Sequence, residues 1–511
     1  MFYYGLENDN FTRILTQFDF GTPEPHFEEN LFGPNLRLNL LPVERIECGS
    51  KVLLLEKHTG LWCFLEPHEY QVFRSLESEE LETVVAGIAE PHRAELSAFV
   101  GRLHWRGLLK INGRRFIQPD VFDTGPIFDR GWLFILVPTE RCNLACKYCC
   151  ADSNPWKQQR MDWGIAKKAI DLIVDYIPER ATIEFAGGEP FLEPDLIERI
   201  VEYGRGTAEK RGKDLAFWAQ SNGTLVSEDL LQRFEKLRIS VNLSLDGDRV
   251  SNDMTRVFPG DKGTYSAITR AIALMQKKGG GKAAICVVSK ANYRRLDKIL
   301  AGYRELGMTG IKLNPVTRNG RASEEWQKLA LEPAEFLEFH RQYLDMVSNG
   351  DCSIVDENTA TMLDVIGSRM HPYRCMRSQC GAGRDFMTFA PNGDIYPCSL
   401  TRAKPKFRLG NIREVDRLND IWKNNPIIAK LAERHAGIVI SECRECSYKR
   451  FCEAGCPTAS YEHFGRTDAP HPWCQYYRGI YRELFRRLAE GSRFVEIFCP
   501  HAKTYDNPFF M

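Results

Sequence analysis

The sequence predicts an α/β protein: a partial (β/α)6 TIM barrel with an N-terminal winged-helix-like α+β domain and a C-terminal Cys-rich domain. Three observations predict it. Between residues 131 and 350 six β-type segments alternate with amphipathic helical stretches, and regular alternation implies a parallel sheet with helices outside. Ahead of them, three β-type segments precede three helical ones within about 90 residues, the pattern of a small α+β unit. After them, residues 375–475 are rich in Cys, Gly and Pro with little hydrophobic period. Such a segment needs metals in place of a large apolar core.

The bulk numbers set the frame. A chain of 511 residues exceeds one ordinary core, so several domains are expected. Lys+Arg and Asp+Glu both number 68, and that balance gives no reason to expect nucleic acid or an anionic membrane as partner. The opening MFYYGLENDNFTR has no basic stretch followed by an apolar run, so it does not read as a secretory signal. No uninterrupted apolar stretch reaches the length of a membrane span. The expected location is the cytoplasm. There, disulfides are rare, so the clustered members of the 17 cysteines read as metal ligands. The isolated Cys48, Cys63, Cys286, Cys352 and Cys499 read as buried thiols.

In chain order, residues 1–35 carry little pattern and read as a surface extension. The domain 36–117 opens with LRLNLLPVERI, KVLLLEK and GLWCFLEP as strands, then EYQVFRSL, ELETVVAGIAE and PHRAELSAFVGRLHWRGLL as helices, with LLKINGRRF as a last strand. Residues 118–130 hold Pro, Gly and Asp without period and read as a linker. The barrel, 131–350, takes WLFILVPT, ATIEFAG, LAFWAQSN, SVNLSLDG, AAICVVSK and GIKLNPVT as its strands. Six units are too few for a closed eight-fold barrel, and chemistry is expected at the carboxyl ends of the strands. The Cys-rich domain spans 351–475, and 476–511 reads as one helix (GIYRELFRRLAE) and an irregular tail.

PTERCNLACKYCC follows the first barrel strand and sets Cys142, Cys146 and Cys149 in Cys-x3-Cys-x2-Cys spacing. At this cysteine frequency the triplet is expected by chance only ~0.02 times per chain. Three thiolates on one tight loop can bind three irons of a cubane and leave the fourth open; a zinc site completed from elsewhere is the bland alternative. Further motifs follow in order. Gly187-Gly188-Glu189-Pro190 ends the second strand, QSNGTL with Asn222 the third, SLDGD with Ser244 and Asp246 the fourth, and Arg256 stands in NDMTRVFPGDKGTY. This ordered set resembles the radical S-adenosylmethionine (SAM) superfamily. The resemblance implies that SAM takes the open iron and is cleaved reductively to a 5′-deoxyadenosyl radical. It also implies that Gly187, Gly188 and Glu189 meet the SAM amino group, that Arg256 pairs with its carboxylate, and that Tyr148, Asn222, Ser244 and Asp246 line the rest. Ser221 replaces the usual Thr of the third-strand motif, and Cys150 stands where an aromatic residue is usual.

The second cysteine field comprises Cys375, Cys380, Cys398, Cys443-x2-Cys446-x5-Cys452-x3-Cys456 and Cys474. The four-cysteine string alone has a chance expectation of ~0.0006, against a zinc-ribbon alternative. The pattern resembles the SPASM domain, which implies two auxiliary [4Fe-4S] clusters. One would use Cys375, Cys380, Cys398 and Cys456, and the other Cys443, Cys446, Cys452 and Cys474. Cys375 stands one residue closer to Cys380 than the family spacing; without it that cluster would have an open iron. The cofactors implied are thus three [4Fe-4S] clusters and SAM, with a reducing donor such as flavodoxin or ferredoxin.

The N-terminal domain resembles the PqqD-like element that precedes many peptide-modifying radical SAM enzymes, in architecture and length. It implies that a leader peptide adds as a strand along 60–66 beside the helix at 92–106, near Leu61, Trp62, Phe64, Phe99 and Leu103. Strand addition suits an extended peptide because backbone groups supply most of the hydrogen bonds. The expected function is maturation of a ribosomally made precursor peptide, with an intrapeptide thioether or carbon–carbon cross-link as product. Two alternatives are a sulfatase-type formylglycine maturase, in which an Asp would follow the cysteine matched by Cys398 where Ser399 stands, and a non-catalytic iron-sulfur peptide-binding scaffold.

Overall fold

The computed structural model describes residues 32, 36–89, 92–115, 132–368, 380–402, 404–423, 425–432, 440–491 and 493–498. The expected surface extension, the linker and Cys375 lie outside them, apart from residue 32 of the extension.

The N-terminal domain holds β1 (Leu38–Leu40), β2 (Val43–Cys48), β3 (Lys51–Glu56), β4 (Trp62–Leu65) and β5 (Leu109–Ile111). The first β-type segment divides at Leu41-Pro42, since proline has no N–H for a ladder. β1 turns away to pair antiparallel with β5, while β2, β3 and β4 form a meander. Helices Pro67–Ser78, Leu81–Gly87 and Arg93–Trp105 follow as expected. Pro67 starts the first, and the reciprocal side-chain bonds of Glu66 and Glu69 cap it. Leu54, Leu61, Cys63 and Leu65 on one sheet face pack against Phe73, Leu96, Phe99, Val100 and Leu103.

The opposite sheet face is also covered. Ile46, Cys48, Leu53, Leu55 and Trp62 join the core that includes Tyr481, Phe485 and Leu488 of the helix Cys474–Glu490. The Trp62 ring meets Phe485 edge-on at 5.2 Å, and its indole N–H donates to the Ile366 carbonyl at 3.0 Å. The expected C-terminal helix forms, begins before its expected start and is part of the core. One continuous helix runs from Cys474 to Glu490 through the expected boundary at 475 and packs on the helix Pro333–Asn349.

The barrel strands are β6 (Trp132–Leu136), β7 (Arg180–Phe185), β8 (Asp214–Ser221), β9 (Ile239–Ser244), β10 (Ala283–Val288) and β11 (Gly310–Pro315). All six expected strands form and lie side by side in chain order, parallel throughout. Phe134, Leu136, Ile183, Phe185, Phe217 and Ala219 face the buried side chains of the surrounding helices. The helix starts are locally encoded: Asp162 accepts from the Ile165 N–H and Ser227 from the Leu230 N–H. Among the described residues no helix is long and apolar enough to cross a membrane.

The sheet extends beyond the barrel at both ends. β12 (Val355–Asp356) adds parallel to β11. β13 (Phe386–Phe389) adds parallel to β6 and carries β14 (Asp394–Tyr396) and β15 (Gly410–Asn411) antiparallel beyond it. The Cys-rich domain is therefore continuous with the barrel sheet, with β6 at the junction. The strand that leads into the cysteine loop thus has the C-terminal domain as its neighbour.

Candidate active site

The loop after β6 is folded by its own backbone. Cys142 N–H donates to Asn154 O at 3.1 Å, Ala145 N–H to Val257 O at 2.8 Å, Lys147 N–H to Thr255 O at 2.9 Å and Cys149 N–H to Cys146 O at 3.2 Å. Leu144, Cys146 and Tyr148 are buried with Val316, Ala322 and Leu329, and Cys142 and Cys149 pack against that cluster. Burial, reinforced by the Glu189 carboxylate, pushes the Cys142 thiol up to about 12; burial pushes Cys146 up to about 11, opposed by Arg256. Both are thiols near neutral pH before iron arrives, and ligation releases their protons. Cys150, where an aromatic residue is usual, is exposed.

The loop after β7 presses on the cysteine loop. A Cβ at Gly188 would lie 2.1 Å from the Arg141 carbonyl oxygen, and Gly187 has φ +129°. A side chain at either position would push the two loops apart. Gly188 N–H donates to Thr139 O at 3.0 Å and Glu189 N–H to Arg141 O at 2.9 Å. The buried Glu189 carboxylate accepts from Phe191 N–H at 3.1 Å, Ser221 O–H at 2.9 Å and Asn222 N–H at 2.8 Å. Burial nevertheless pushes it up to about 7. Three donors leave one of the roughly four lone-pair positions of a carboxylate open. The Asn222 side chain donates to Asn143 Oδ1 at 2.9 Å and toward Cys142 Sγ at 3.7 Å. Three consecutive strand ends therefore meet: the cysteine loop, the Gly-Gly-Glu loop and the Ser-Asn-Gly loop.

Asp246 is held by the protein's own donors. It is fully buried; one oxygen accepts from Val287 N–H at 2.9 Å and Arg256 Nη2 at 3.3 Å, and the other accepts from the Tyr148 hydroxyl. With no exposure and both oxygens engaged, it positions Arg256 and Tyr148. Burial holds the Tyr148 phenol well above its ordinary range, so it remains a donor. The Arg256 guanidinium lies 5.6 Å over the Tyr148 ring. Its Nε is buried and has no acceptor among the described residues. Ser244 Oγ accepts from Gln220 at 3.0 Å. An unmet guanidinium N–H and an unfilled carboxylate position beside three cysteines suit the carboxylate and ammonium of one amino acid, so the residues fit SAM.

Sequence reasoning missed Gly320 and Arg321 on the loop after β11. Arg321 donates from Nε and Nη2 to the Cys146 carbonyl, and Gly320, at φ +54°, packs against the carbonyls of Cys149 and Cys150. The available signal was their place after the sixth barrel strand, where chemistry collects.

In the Cys-rich domain, Cys380 and Cys398 share one apolar cluster, and Cys456 is close enough to Cys398 to raise its thiol, after burial. Separately, Cys446 and Cys443 bear on Cys452, and Cys446 on Cys474. These pairings fall into two neighbourhoods, and among the described residues no three Cys, His, Asp or Glu side chains form a preassembled metal site. Between Cys452 and Cys456 the backbone is left-handed at three successive residues, Glu453, Ala454 and Gly455, with φ +45°, +59° and +68°. This reversal separates Cys452 and Cys456 into the two neighbourhoods, at a cost of roughly 1–2 kcal/mol for each non-glycine residue.

The side chains expected to meet a leader peptide are engaged elsewhere. Leu61, Trp62, Phe99 and Leu103 are buried in the chain's own cores, and Phe64 packs with Trp62 and Phe485. The apolar pattern on both faces of β4 arises because both faces are covered. The backbone of β4 pairs with β3 on one side only among the described residues.

Residues 136–301 match the Radical SAM superfamily and residues 380–447 the SPASM iron-sulfur cluster-binding domain. The antilisterial bacteriocin subtilosin biosynthesis protein AlbA of Bacillus subtilis is 28% identical over 62% of this chain, which spans 65% of AlbA, just under two thirds. A cysteine-type anaerobic sulfatase-maturating enzyme of Clostridium perfringens is 24% identical over 70% of this chain and 96% of its own length. The solved structure of native anSMEcpe with bound AdoMet superposes with a TM-score of 0.63 over 72% of this chain and all of that one, at 20% identity. This chain is thus an enzyme that carries a radical SAM domain followed by a SPASM iron-sulfur cluster-binding domain.

Proposed function

We propose that this enzyme matures a ribosomally made precursor peptide, forming an intrapeptide thioether or carbon–carbon cross-link. The observation that carries the reading is the convergence of Glu189 and Arg256 on the cysteine loop in a chain that also has a small N-terminal β-α domain. Cys142, Cys146 and Cys149 hold the catalytic cluster, with the SAM ammonium on Glu189 and its carboxylate on Arg256. Bound there, SAM supplies a 5′-deoxyadenosyl radical that removes a hydrogen atom from substrate. Asp246 fixes Arg256 and Tyr148, and the Gly187-Gly188 approach keeps Glu189 against the cysteine loop. Closing a bond after hydrogen abstraction releases one further electron and a proton. Cys380, Cys398 and Cys456 with Cys375, and Cys443, Cys446, Cys452 and Cys474, hold two auxiliary clusters that can accept that electron. The β4 edge receives the leader through backbone bonds, since its side chains are occupied.

The similarity to AlbA, whose name ties it to a bacteriocin, supports peptide maturation. The similarity to the sulfatase-maturating enzyme is of the same order, yet Ser399, with no carboxylate, stands where that chemistry places its base.

The test is anaerobic reconstitution followed by three measurements. Iron should reach about twelve atoms per chain, three cubanes of four. Dithionite and SAM should yield 5′-deoxyadenosine. A full-length candidate precursor peptide should lose two hydrogen atoms per bond formed, and the same peptide without its leader should not. A sulfatase peptide converted to formylglycine, with the precursor untouched, would reject the proposal.

A further inference from the structure

We infer that Arg321 is a positioning residue of the catalytic cluster: it clamps the Cys146–Cys149 loop and its fixed cation favours the cluster's reduced form. The geometry has two halves. Toward the cluster loop, Arg321 Nε and Nη2 donate to Cys146 O at 3.1 and 2.8 Å, Nη2 also reaches Ser153 O at 3.0 Å, and the Arg321 N–H donates to Cys149 O at 3.1 Å. Gly320 lets this approach happen: a Cβ there would lie 2.5 Å from Cys149 O and 2.6 Å from Cys150 O. Away from the loop, Asn319 Nδ2 donates to Leu400 O at 2.8 Å and its Oδ1 accepts from Lys404 Nζ at 2.8 Å, while Lys404 pairs with Glu462 at 2.8 Å. Asn319-Gly320-Arg321 thus straps the catalytic loop to the segment just after Cys398.

Charge gives the strap a second consequence. Two arginines lie near Cys146. Arg256 is matched by the buried Asp246 carboxylate. Three of the four side-chain contacts of Arg321 are neutral carbonyls, and its one carboxylate partner, Asp152 at 3.3 Å, is substantially exposed, so water screens it. A net positive charge therefore sits against the backbone of a cluster ligand in a partly desolvated site, where Coulomb terms exceed their value in water. A cation there stabilises the cluster after it accepts one electron from an external one-electron donor. Such partners typically change activity 10–100-fold.

The inference rests on Cys142, Cys146 and Cys149 as ligands and is independent of which peptide is processed. The experiment compares the full reconstituted chain with Arg321→Gln and Arg321→Lys. The readouts are iron content, 5′-deoxyadenosine yield with dithionite, and the midpoint potential of the electron-paramagnetic-resonance signal that changes when SAM is added. Arg321→Gln is expected to keep its iron while the reduction equilibrium of that signal falls about tenfold, which is about 59 mV for one electron. Its 5′-deoxyadenosine yield falls about 10–100-fold. Arg321→Lys should recover most of the potential. A wild-type potential in Arg321→Gln at full iron overturns the inference, as does equal loss of iron in both variants. No SAM-responsive signal in the wild type overturns the ligand reading and this inference with it, whereas a failed peptide assay touches only the maturation proposal.

Discussion

The two cysteine regions are built on opposite principles. The catalytic loop is held by protein: its carbonyls and N–H groups are spoken for by Val257, Thr255, Asn154 and Arg321, and its floor is apolar. The Cys-rich region has short helical turns, Ser441–Arg444 and Lys449–Cys452, and three left-handed residues in a row. The first region is a mould into which a cluster fits. On the proposed reading, the second is chain that a cluster would help to pull together. Local strain there is offset in part by Tyr448 and Phe451, which are buried in the chain's main core, and metal is expected to supply the rest of the folding energy.

Iron removal should break this contrast most visibly. Chelation should unfold 440–474, read by hydrogen exchange as loss of protection there, while the barrel helices keep theirs. Uniform loss across both would show that the catalytic loop is equally metal-built. Single cysteines sharpen the point. Cys142→Ala should abolish 5′-deoxyadenosine formation with the melting transition unchanged, whereas Cys452→Ala should lower the transition and lose iron. Those two assays on both variants suffice.

Glu189 gives a pH test of the mould. Its folded pKa is raised, to about 7 from 4.5, so between those values the native state binds more protons than the unfolded one. In the metal-free chain stability should therefore fall as pH rises from about 4.5 to 7, by about 3 kcal/mol at most. Denaturant titrations across that window should show the slope in the wild type and a flat profile in Glu189→Gln. The smallest effect expected is Gly455→Ala, which adds strain at φ +68° and brings a Cβ within 2.6 Å of the His471 ring. It should cost about 1–3 kcal/mol in the iron-loaded chain, read as a lower melting transition with 5′-deoxyadenosine yield retained.

Much of the barrel was legible because its signals are local. Strand-helix alternation located β6 to β11, and the turn-forming motifs at their ends located the loops that converge on Cys142. The extension of the sheet by β12 and by β13 to β15 was not legible, since those short strands matter only through distant partners. The bonds that hold Asp246 were not legible either, because a motif says nothing of burial: its donors Val287 and Tyr148 come from elsewhere in the chain. The side chains of the doubly apolar β4 were expected to meet a peptide for the same reason: Leu61 and Trp62 announce two buried faces, but only the fold reveals that Phe485 covers the second.

The contact of Trp62 with Phe485 also sets an order of assembly. These residues are 485 − 62 = 423 positions apart. At roughly 5–20 residues per second, a ribosome needs roughly 20–90 s to deliver the second after the first. Throughout that interval the N-terminal sheet lacks the C-terminal helix that covers the apolar face formed by Ile46, Leu53, Leu55 and Trp62. The N-terminal sheet is thus completed long after it is made, and it stays open to chaperones or to neighbouring nascent chains until the C-terminal helix arrives.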